Sequence, residues 1–296
     1  MLEVGGISIV KRLVMTFQQA GIFPIVVITG TEEEEVGYQL ADRGVVYVRN
    51  ENYRQAELID SIMLGLEFLK DKCRKIVFSP VNFPLFLPQT LHQILEQPGL
   101  IVTPSYHGKS GHPTVIDTQI LPEIFERRRH ADGFRGILND LKAERKWVDV
   151  TDAGVILSIH QKKQLKAHLK KHEKQFIHPF LQLNLEKEGI LFNARGKLLL
   201  LLLEETHSVS RAAKMMRMSI SKSWQTIHEL EDAFAIPLVE RQQGGRTGSQ
   251  SRLTKTGQML LQNYQTYEES LYQYNWELFK KNLLDTPLFD EANAFE

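Results

Sequence analysis

The stretch from His207 to Gly257 constrains this chain most, because its helix signals, turn and strands come in an order that few folds use. Ser210 stands at an N-cap position ahead of Arg211-Ala212-Ala213-Lys214-Met215-Met216, whose small alanines admit another helix at close range. Ser219 opens a second helix in which Ile220, Trp224, Ile227, Leu230 and Phe234 recur at helical spacing and predict one buried face. The opposite face carries Ser221, Lys222, Gln225, Thr226 and Glu229, side chains able to reach base edges and phosphates from a major groove. Past Pro237, Leu238-Val239-Glu240-Arg241 and Ser251-Arg252-Leu253-Thr254 read as strands. They flank a Gly- and Arg-rich tip, Gln243-Gly244-Gly245-Arg246-Thr247-Gly248, suited to phosphate or minor-groove contact. Together these elements spell a winged helix-turn-helix. An ordinary bundle with one polar face would use similar helices, but wing and second helix support each other. The candidate contacts to double-stranded DNA are then Arg211, Ser219, Ser221, Lys222, Gln225, Thr226, Arg241, Gly245 and Arg246.

From about Leu185 to Tyr267 the chain closely resembles the N-terminal DNA-binding domain of the molybdate-responsive ModE regulator, related to the LysR type. The resemblance rests on Ser219-Ile220-Ser221-Lys222-Ser223-Trp224, Pro237-Leu238-Val239-Glu240-Arg241, Gly244-Gly245-Arg246 and Leu253-Thr254-Lys255-Thr256-Gly257. Ser223 stands where the family commonly has Ala, a small-for-small change. Around this core, residues 195–205 predict a first helix, apolar nearly all round across residues 198–203, and residues 181–185 alternate as a strand leading in. A long helix follows with Met259, Leu260, Tyr264, Tyr267, Leu271 and Trp276. It holds more apolar surface than a small domain needs, which predicts a homodimer through this helix.

Overall charge argues for neither DNA nor any other polyanion, since 36 Lys and Arg balance 36 Asp and Glu. The distribution is uneven: Lys162, Lys163, Lys166, Lys170, Lys171 and Lys174 crowd one stretch, and Glu32 to Glu35 another. The lysine run reads as a solvated helix closing a first domain, with a phosphate-contacting extension as the minor alternative. Ile177-His178-Pro179-Phe180 breaks the pattern, giving domains over 1–176 and 177–284 and a disordered tail over 285–296. The lone Cys73 permits no internal disulfide and fits a reducing compartment. The longest purely apolar run, residues 198–203, falls far short of the roughly 20 residues of a membrane helix. A soluble, cytoplasmic protein with no membrane partner is expected.

Residues 1 to about 160 alternate short apolar runs with helical stripes. Ile9, Leu13 and Phe17 mark a helix; Pro24-Ile25-Val26-Val27-Ile28, Val45-Val46-Tyr47-Val48 and Lys75-Ile76-Val77-Phe78 mark strands. Ala56, Ile59, Met63, Leu66 and Leu69 mark another helix. The pattern predicts a Rossmann-like α/β domain, a mostly parallel sheet with helices on both faces, whose ligands sit beyond the strand C-termini. Ser79-Pro80-Val81-Asn82-Phe83-Pro84-Leu85 and Gly108-Lys109-Ser110-Gly111-His112-Pro113 lie at such ends. Glycines around a lysine let backbone approach an anion, and His112 can donate to a phosphate or base. Taken alone, a Gly-rich turn with one His is more often just a turn.

From Leu2 to about Leu165 the chain resembles the nucleotidyltransferases that attach CMP or GMP to the molybdenum cofactor (MobA-like). Leu2-Glu3-Val4-Gly5-Gly6 resembles the segment after the family's nucleotide loop, and Val81-Asn82-Phe83-Pro84-Leu85 its metal-site turn. Residues 108–113 resemble its GxxGHP segment, and Gly133-Phe134-Arg135-Gly136 its helix start near the substrate pocket. The resemblance implies a nucleotide or substrate pocket at Asn82, Gly108, Lys109, Gly111, His112 and Arg135, with Mg²⁺ if the domain is active.

Three departures stand against activity. The family's Gly-rich loop would lie before Met1. Its metal-binding Asp is Asn82 here, and its later Asp-x-Asp segment falls on Ser158-Ile159-His160-Gln161, with no carboxylate. Nucleotidyl transfer sets Mg²⁺ between carboxylates and phosphate oxygens, and a neutral amide is a much weaker ligand for a hard cation. His160 without a paired ligand reads as a surface residue. The leading expectation is a regulator of molybdate or molybdenum-cofactor metabolism with a degenerate transferase domain as sensor or relic. The alternative is an active transferase with an autoregulatory DNA-binding domain. The residues after Lys280 are too few for a further domain, so a nucleotide, pterin or molybdate effector would act through the N-terminal domain.

Overall fold

Short apolar runs separated by amphipathic ones settle into a layered α/β arrangement. The computed structural model describes residues 2–40, 43–161, 168–169, 181–242 and 250–286. The chain divides into one unit of Met1–Gln39 and Val48–His178 and another of Leu40–Tyr47 and Pro179–Glu296. The lysines at 162, 163, 166, 170, 171 and 174, the expected boundary near 177 and the tail beyond 286 lie outside the described residues.

In the first unit, β1 (Glu3–Val4) and β2 (Ile7–Ser8) form a hairpin, and Ser8 caps α1 (Ile9–Gln19) by accepting the Lys11 N–H at 3.4 Å. In chain order follow β3 (Val26–Thr29), α2 (Glu33–Gln39), β4 (Val46–Arg49), whose first two residues fall in the second unit, α3 (Leu58–Leu69) and β5 (Lys75–Phe78). Then come α4 (Pro88–Leu95), β6 (Ile101–Tyr106), β7 (Lys109–Ser110), β8 (Thr114–Asp117), α5 (Leu121–Glu126), α6 (Gly133–Asp140) and β9 (Arg145–Asp149).

The main sheet runs β5-β8-β6-β7, with β9 also on β6. β8 is antiparallel to both β5 and β6, and β9 is parallel to β6. So β5, β6 and β9 point the same way, with β8 reversed between β5 and β6. The reason is chain length: residues 107–113 join β6 to β8, and a parallel crossover needs about a dozen residues or more.

Successive strand residues point to opposite faces, which divides the core in two. Ile101 and Ile116 pack with Ile59, Ile62 and Leu66 of α3, Ile124 of α5 and Ile137 of α6. Their neighbours Val102 and Val115 pack with Leu13 of α1 and with Leu91 and Ile94 of α4. Helices therefore cover both faces.

In the second unit, β10 (Leu185–Glu186) pairs with β11 (Ile190–Phe192), and Asn193 caps α7 (Ala194–Thr206) by accepting the N–H groups of Arg195 and Gly196. Leu198, Leu199, Leu200, Leu202 and Leu203 are all buried, so α7 is the core helix. Next come α8 (Val209–Met215), α9 (Ile220–Phe234), the antiparallel pair β12 (Val239–Gln242) and β13 (Gln250–Leu253), and α10 (Lys255–Phe279). The strand expected over residues 181–185 shrinks to β10. Tyr272 and Tyr264 of α10 donate to the carbonyls of Leu181 and Leu183 at 3.0 and 2.7 Å, so this backbone bonds to side chains instead of a ladder.

Candidate functional site

The first helix of the pair in the second unit begins two residues earlier than its sequence suggests. Ser208, not Ser210, caps α8, its hydroxyl accepting the Arg211 N–H at 3.3 Å, and Ser210 is exposed on the helix. Ala212 and Ala213 are completely buried and set how closely the next helix approaches. The turn passes through Arg217 at φ 51°, and Ser219 then caps α9 by accepting the Lys222 N–H at 3.1 Å.

The buried face of α9 is Ser223, Ile227 and Leu230. Ile220, Trp224 and Phe234 were expected there as well. Instead Ile220 is 51% exposed, Phe234 38% exposed and Trp224 half-buried. The core selects Ser223 because it is small, and its hydroxyl donates to the Ser219 carbonyl at 3.0 Å. Centring the face on Ser223 turns Trp224 about 100° away around the helix.

The displaced Trp224 joins helix to wing. The Arg241 guanidinium of β12 lies over its ring, 3.8 Å from the centroid, and His228 stacks beside it at 5.7 Å. The Glu231 carboxylate accepts the N–H groups of Leu238 and Val239 at 2.8 and 3.0 Å, fixing β12 to α9. On the outer face, Lys222 Nζ donates to Gln225 at 3.3 Å and Gln225 Nε2 to Glu229 at 2.7 Å, giving a polar row along the helix. Arg211, Ser219, Ser221, Lys222, Gln225 and Arg241 are exposed together. Thr226 is less so, its hydroxyl donating to the Lys222 carbonyl at 3.0 Å. Gly245 and Arg246 lie outside the described residues.

The second candidate lies at the strand ends of the first unit. The Ile159 N–H donates to the Asn82 carbonyl at 3.0 Å, which sets the turn through Ser158 and His160 against the turn after β5. The two sequence segments of the expected metal site thus meet, but they bring an amide, a hydroxyl and an exposed imidazole. Among the described residues no group of three or more His, Cys, Asp or Glu converges on one point. This donor set does not fit Mg²⁺, which takes oxygen ligands, carboxylates foremost. The nearby Asp152 is structural: its buried carboxylate accepts from the Leu87 and Gly154 N–H groups and from the Thr90 hydroxyl, each at 2.8 Å. Burial pushes its pKa up, against those hydrogen bonds.

Gly111 is needed where it stands, since a Cβ there would meet the Val155 carbonyl oxygen at 2.6 Å. His112 follows, its N–H donating to that same oxygen at 2.8 Å and its ring packed 4.5 Å from Phe83. Burial and the nearby Arg145 push its pKa down to about 4, so the imidazole is neutral at pH 7, and its buried Nδ1 has no hydrogen bond among the described residues. Gly108 is exposed in the β6–β7 turn, Lys109 on β7 and Arg135 on α6.

Arg145, which the sequence reading passed over, donates to Thr103 at 2.9 Å and to Ser110 at 2.8 Å. Burial first, then Arg135, lowers its pKa, so the two guanidinium groups are electrostatic neighbours. Arg145 opens β9, whose sequence Arg145-Lys146-Trp147-Val148-Asp149 gives no signal that sets it apart. A cleft of about 430 Å³ lies at the β6 and β9 ends, lined by Tyr106, His107, Gly108, Asp149, Val150 and Thr151. Of these the sequence reading singled out Gly108 alone.

Residues 1–146 match the MobA-like NTP transferase domain family, and residues 198–258 match the bacterial regulatory helix-turn-helix proteins of the lysR family. The chain joins a MobA-like NTP transferase domain to a lysR-type helix-turn-helix. A curated relative, the molybdenum-pterin-binding protein MopA of Rhodobacter capsulatus, is 34% identical over 64 residues. That match covers 22% of this chain and 24% of the relative's own length. A nucleotidyl transferase from Methanothermobacter thermautotroptrophicus is similar to 57% of this chain over 84% of its own, at 18% identity and a TM-score of 0.49. The 4-diphosphocytidyl-2C-methyl-D-erythritol synthase of Anaerococcus prevotii covers 57% of this chain and 88% of its own, at 13% identity and a TM-score of 0.48.

The transferase domain's match ends within β9, so Ser158 and His160 lie beyond it, while Asn82, residues 108–112 and Arg135 lie inside it. The lysR-type match takes in α8, α9 and both wing strands. Among the described residues no helix is long and apolar enough to cross a membrane.

Proposed function

We propose that this chain is a DNA-binding transcription regulator tied to molybdate or molybdenum-cofactor metabolism, with a transferase-like domain that has given up its chemistry and serves as sensor or relic. The observation that carries the DNA-binding part is α9 itself. A Ser-capped helix presents Ser221, Lys222 and Gln225 on one exposed face, and the wing is joined to its side through Arg241 and Trp224. A helix N-terminus with such side chains suits the major groove, and a wing beside it suits the backbone. Arg211, Ser219, Ser221, Lys222, Gln225, Thr226, Arg241, Gly245 and Arg246 are the proposed contacts. Tyr267, Leu271, Tyr274 and Leu278 of α10 recur at alternating steps of four and three, and Tyr267 and Tyr274 are 52% and 64% exposed. That stripe is the proposed homodimer seam, with domains over 1–176 and 177–284. The molybdenum link rests on the MopA relative and on the MobA-like domain occurring in one chain.

Loss of chemistry is proposed from Asn82, Ser158 and His160, which replace charged oxygen ligands by neutral groups where a divalent cation and triphosphate would need them. A second reading, an active molybdenum-cofactor nucleotidyltransferase with autoregulatory DNA binding, is favoured by the backbone hydrogen bond that brings the two turns together at Asn82 and Ile159. Thermal-shift titration separates the two. A ligand that binds the folded state alone raises the melting temperature. The regulator reading predicts no Mg²⁺-dependent shift with CTP or GTP, and a shift with molybdate alone would make the chain the sensor. A clear Mg²⁺-dependent nucleotide shift would restore the transferase.

A further inference from the structure

An apolar side chain exposed at the first position of a helix read as the DNA-contacting one is placed where it can meet a base edge. Ile220 is the first residue of α9, directly after the Ser219 cap, and 51% of it is exposed. The core does not take it, because that face of α9 consists of Ser223, Ile227 and Leu230. Helix propensity does not explain it either, since a β-branched residue is mildly unfavourable in a helix. Ser219, Ser221 and Lys222 beside it in sequence are all exposed and polar, and one turn on it neighbours the half-buried Trp224, so it stands as an exposed apolar group at the N-terminal end of the helix, on a different side from the polar row. In recognition helices it is the N-terminal residues that contact base edges. On the major-groove floor one group of each base set is apolar, the thymine 5-methyl.

We propose that Ile220 reads a thymine 5-methyl group in the major groove, and so is a specificity-determining residue of the DNA-binding site. This rests on the DNA-binding reading of the second unit. The polar row Lys222-Gln225-Glu229 offers hydrogen-bonding groups, which distinguish donors from acceptors on base edges, whereas Ile220 responds to the methyl alone. Removing the methyl group leaves every hydrogen-bonding group of the base pair in place, so the two kinds of recognition are separable by experiment.

The full chain is first used to select duplexes from a random pool. Each thymine of the enriched sequence is then replaced in turn by deoxyuridine, which deletes only the methyl group, and affinities are measured for the natural chain and for Ile220→Ala. The natural chain should lose about fourfold at one thymine of each half-site, the worth of one buried methyl-sized group. Ile220→Ala should bind thymine and uracil equally there, while keeping its melting temperature and its low-salt affinity for unrelated duplex. Indifference of the natural chain to every replacement, or an unchanged thymine preference in Ile220→Ala, overturns the proposal with DNA binding intact. If no sequence is enriched at all, the DNA-reading interpretation fails first, and this inference with it.

Discussion

Arg241 on the first wing strand stacks its guanidinium over the indole of Trp224 on α9, 3.8 Å from the ring centroid. The contact sets helix and wing at a fixed spacing and holds a cation beside the polar face. An exposed cation–π pair is worth about 0.5–1 kcal/mol. A double-mutant cycle of Trp224→Ala and Arg241→Ala, read by urea denaturation, should give a coupling of that size. Additive losses would show that the two residues stabilise the unit separately.

The shift of the α8 cap from Ser210 to Ser208 is open to the same measurement. Ser208→Ala removes a hydroxyl that accepts a helix N–H, and should cost about 1 kcal/mol. Ser210→Ala, on an exposed helix position, should stay within about 0.5 kcal/mol. A reversed order would restore the sequence-based boundary.

That shift shows where the sequence was legible. Strong periodic signals gave the elements: the leucines from 198 to 203 became the buried helix α7, and the alternation of apolar runs became a sheet covered on both faces. What failed was the choice between equivalent signals. Ser208 and Ser210 are both good caps, and tertiary packing of Val209 decides for the earlier one by burying it. On α9 the apolar residues suggested one face, but the core needed a small side chain and took Ser223, leaving Ile220 and Trp224 for other contacts. In the first unit, Asn82 and residues 108–113 were visible because they depart from apolar strand patterns. Arg145 was not, because its partners Thr103 and Ser110 are distant in sequence.

The core of the second unit holds an ion pair. Lys197 of α7, 3% exposed, donates to the Glu268 carboxylate of α10, whose side chain is 12% exposed. Burial, then Glu268, raises the pKa of the adjacent Tyr264, and the same two causes push Tyr272 up to about 12. Glu268→Ala leaves a buried ammonium without its carboxylate and should cost about 3–5 kcal/mol. The double variant Lys197→Met with Glu268→Leu should recover most of that loss. A single variant as stable as the natural chain would contradict the buried pair.

His112 predicts a pH effect in the first unit. Its folded pKa, about 4, lies below the ordinary value of 6.5, so the unfolded chain binds more protons between those values. The stabilising contribution is therefore complete above about pH 6.5 and is lost as pH falls towards 4. The urea midpoint of the natural chain should drop across this window, and His112→Gln should drop less. Equal slopes in the two proteins would mean that His112 is solvated.

The most direct test of the central claim is the affinity ratio between the selected duplex and a scrambled duplex of equal length, measured by fluorescence anisotropy in one physiological salt buffer. A regulator that reads base edges through α9 predicts a ratio of about 10³ or more, falling when Gln225 is replaced by Ala. A ratio near unity, with affinity that merely follows salt, would contradict the account and leave α9 and its wing as a sequence-blind phosphate binder.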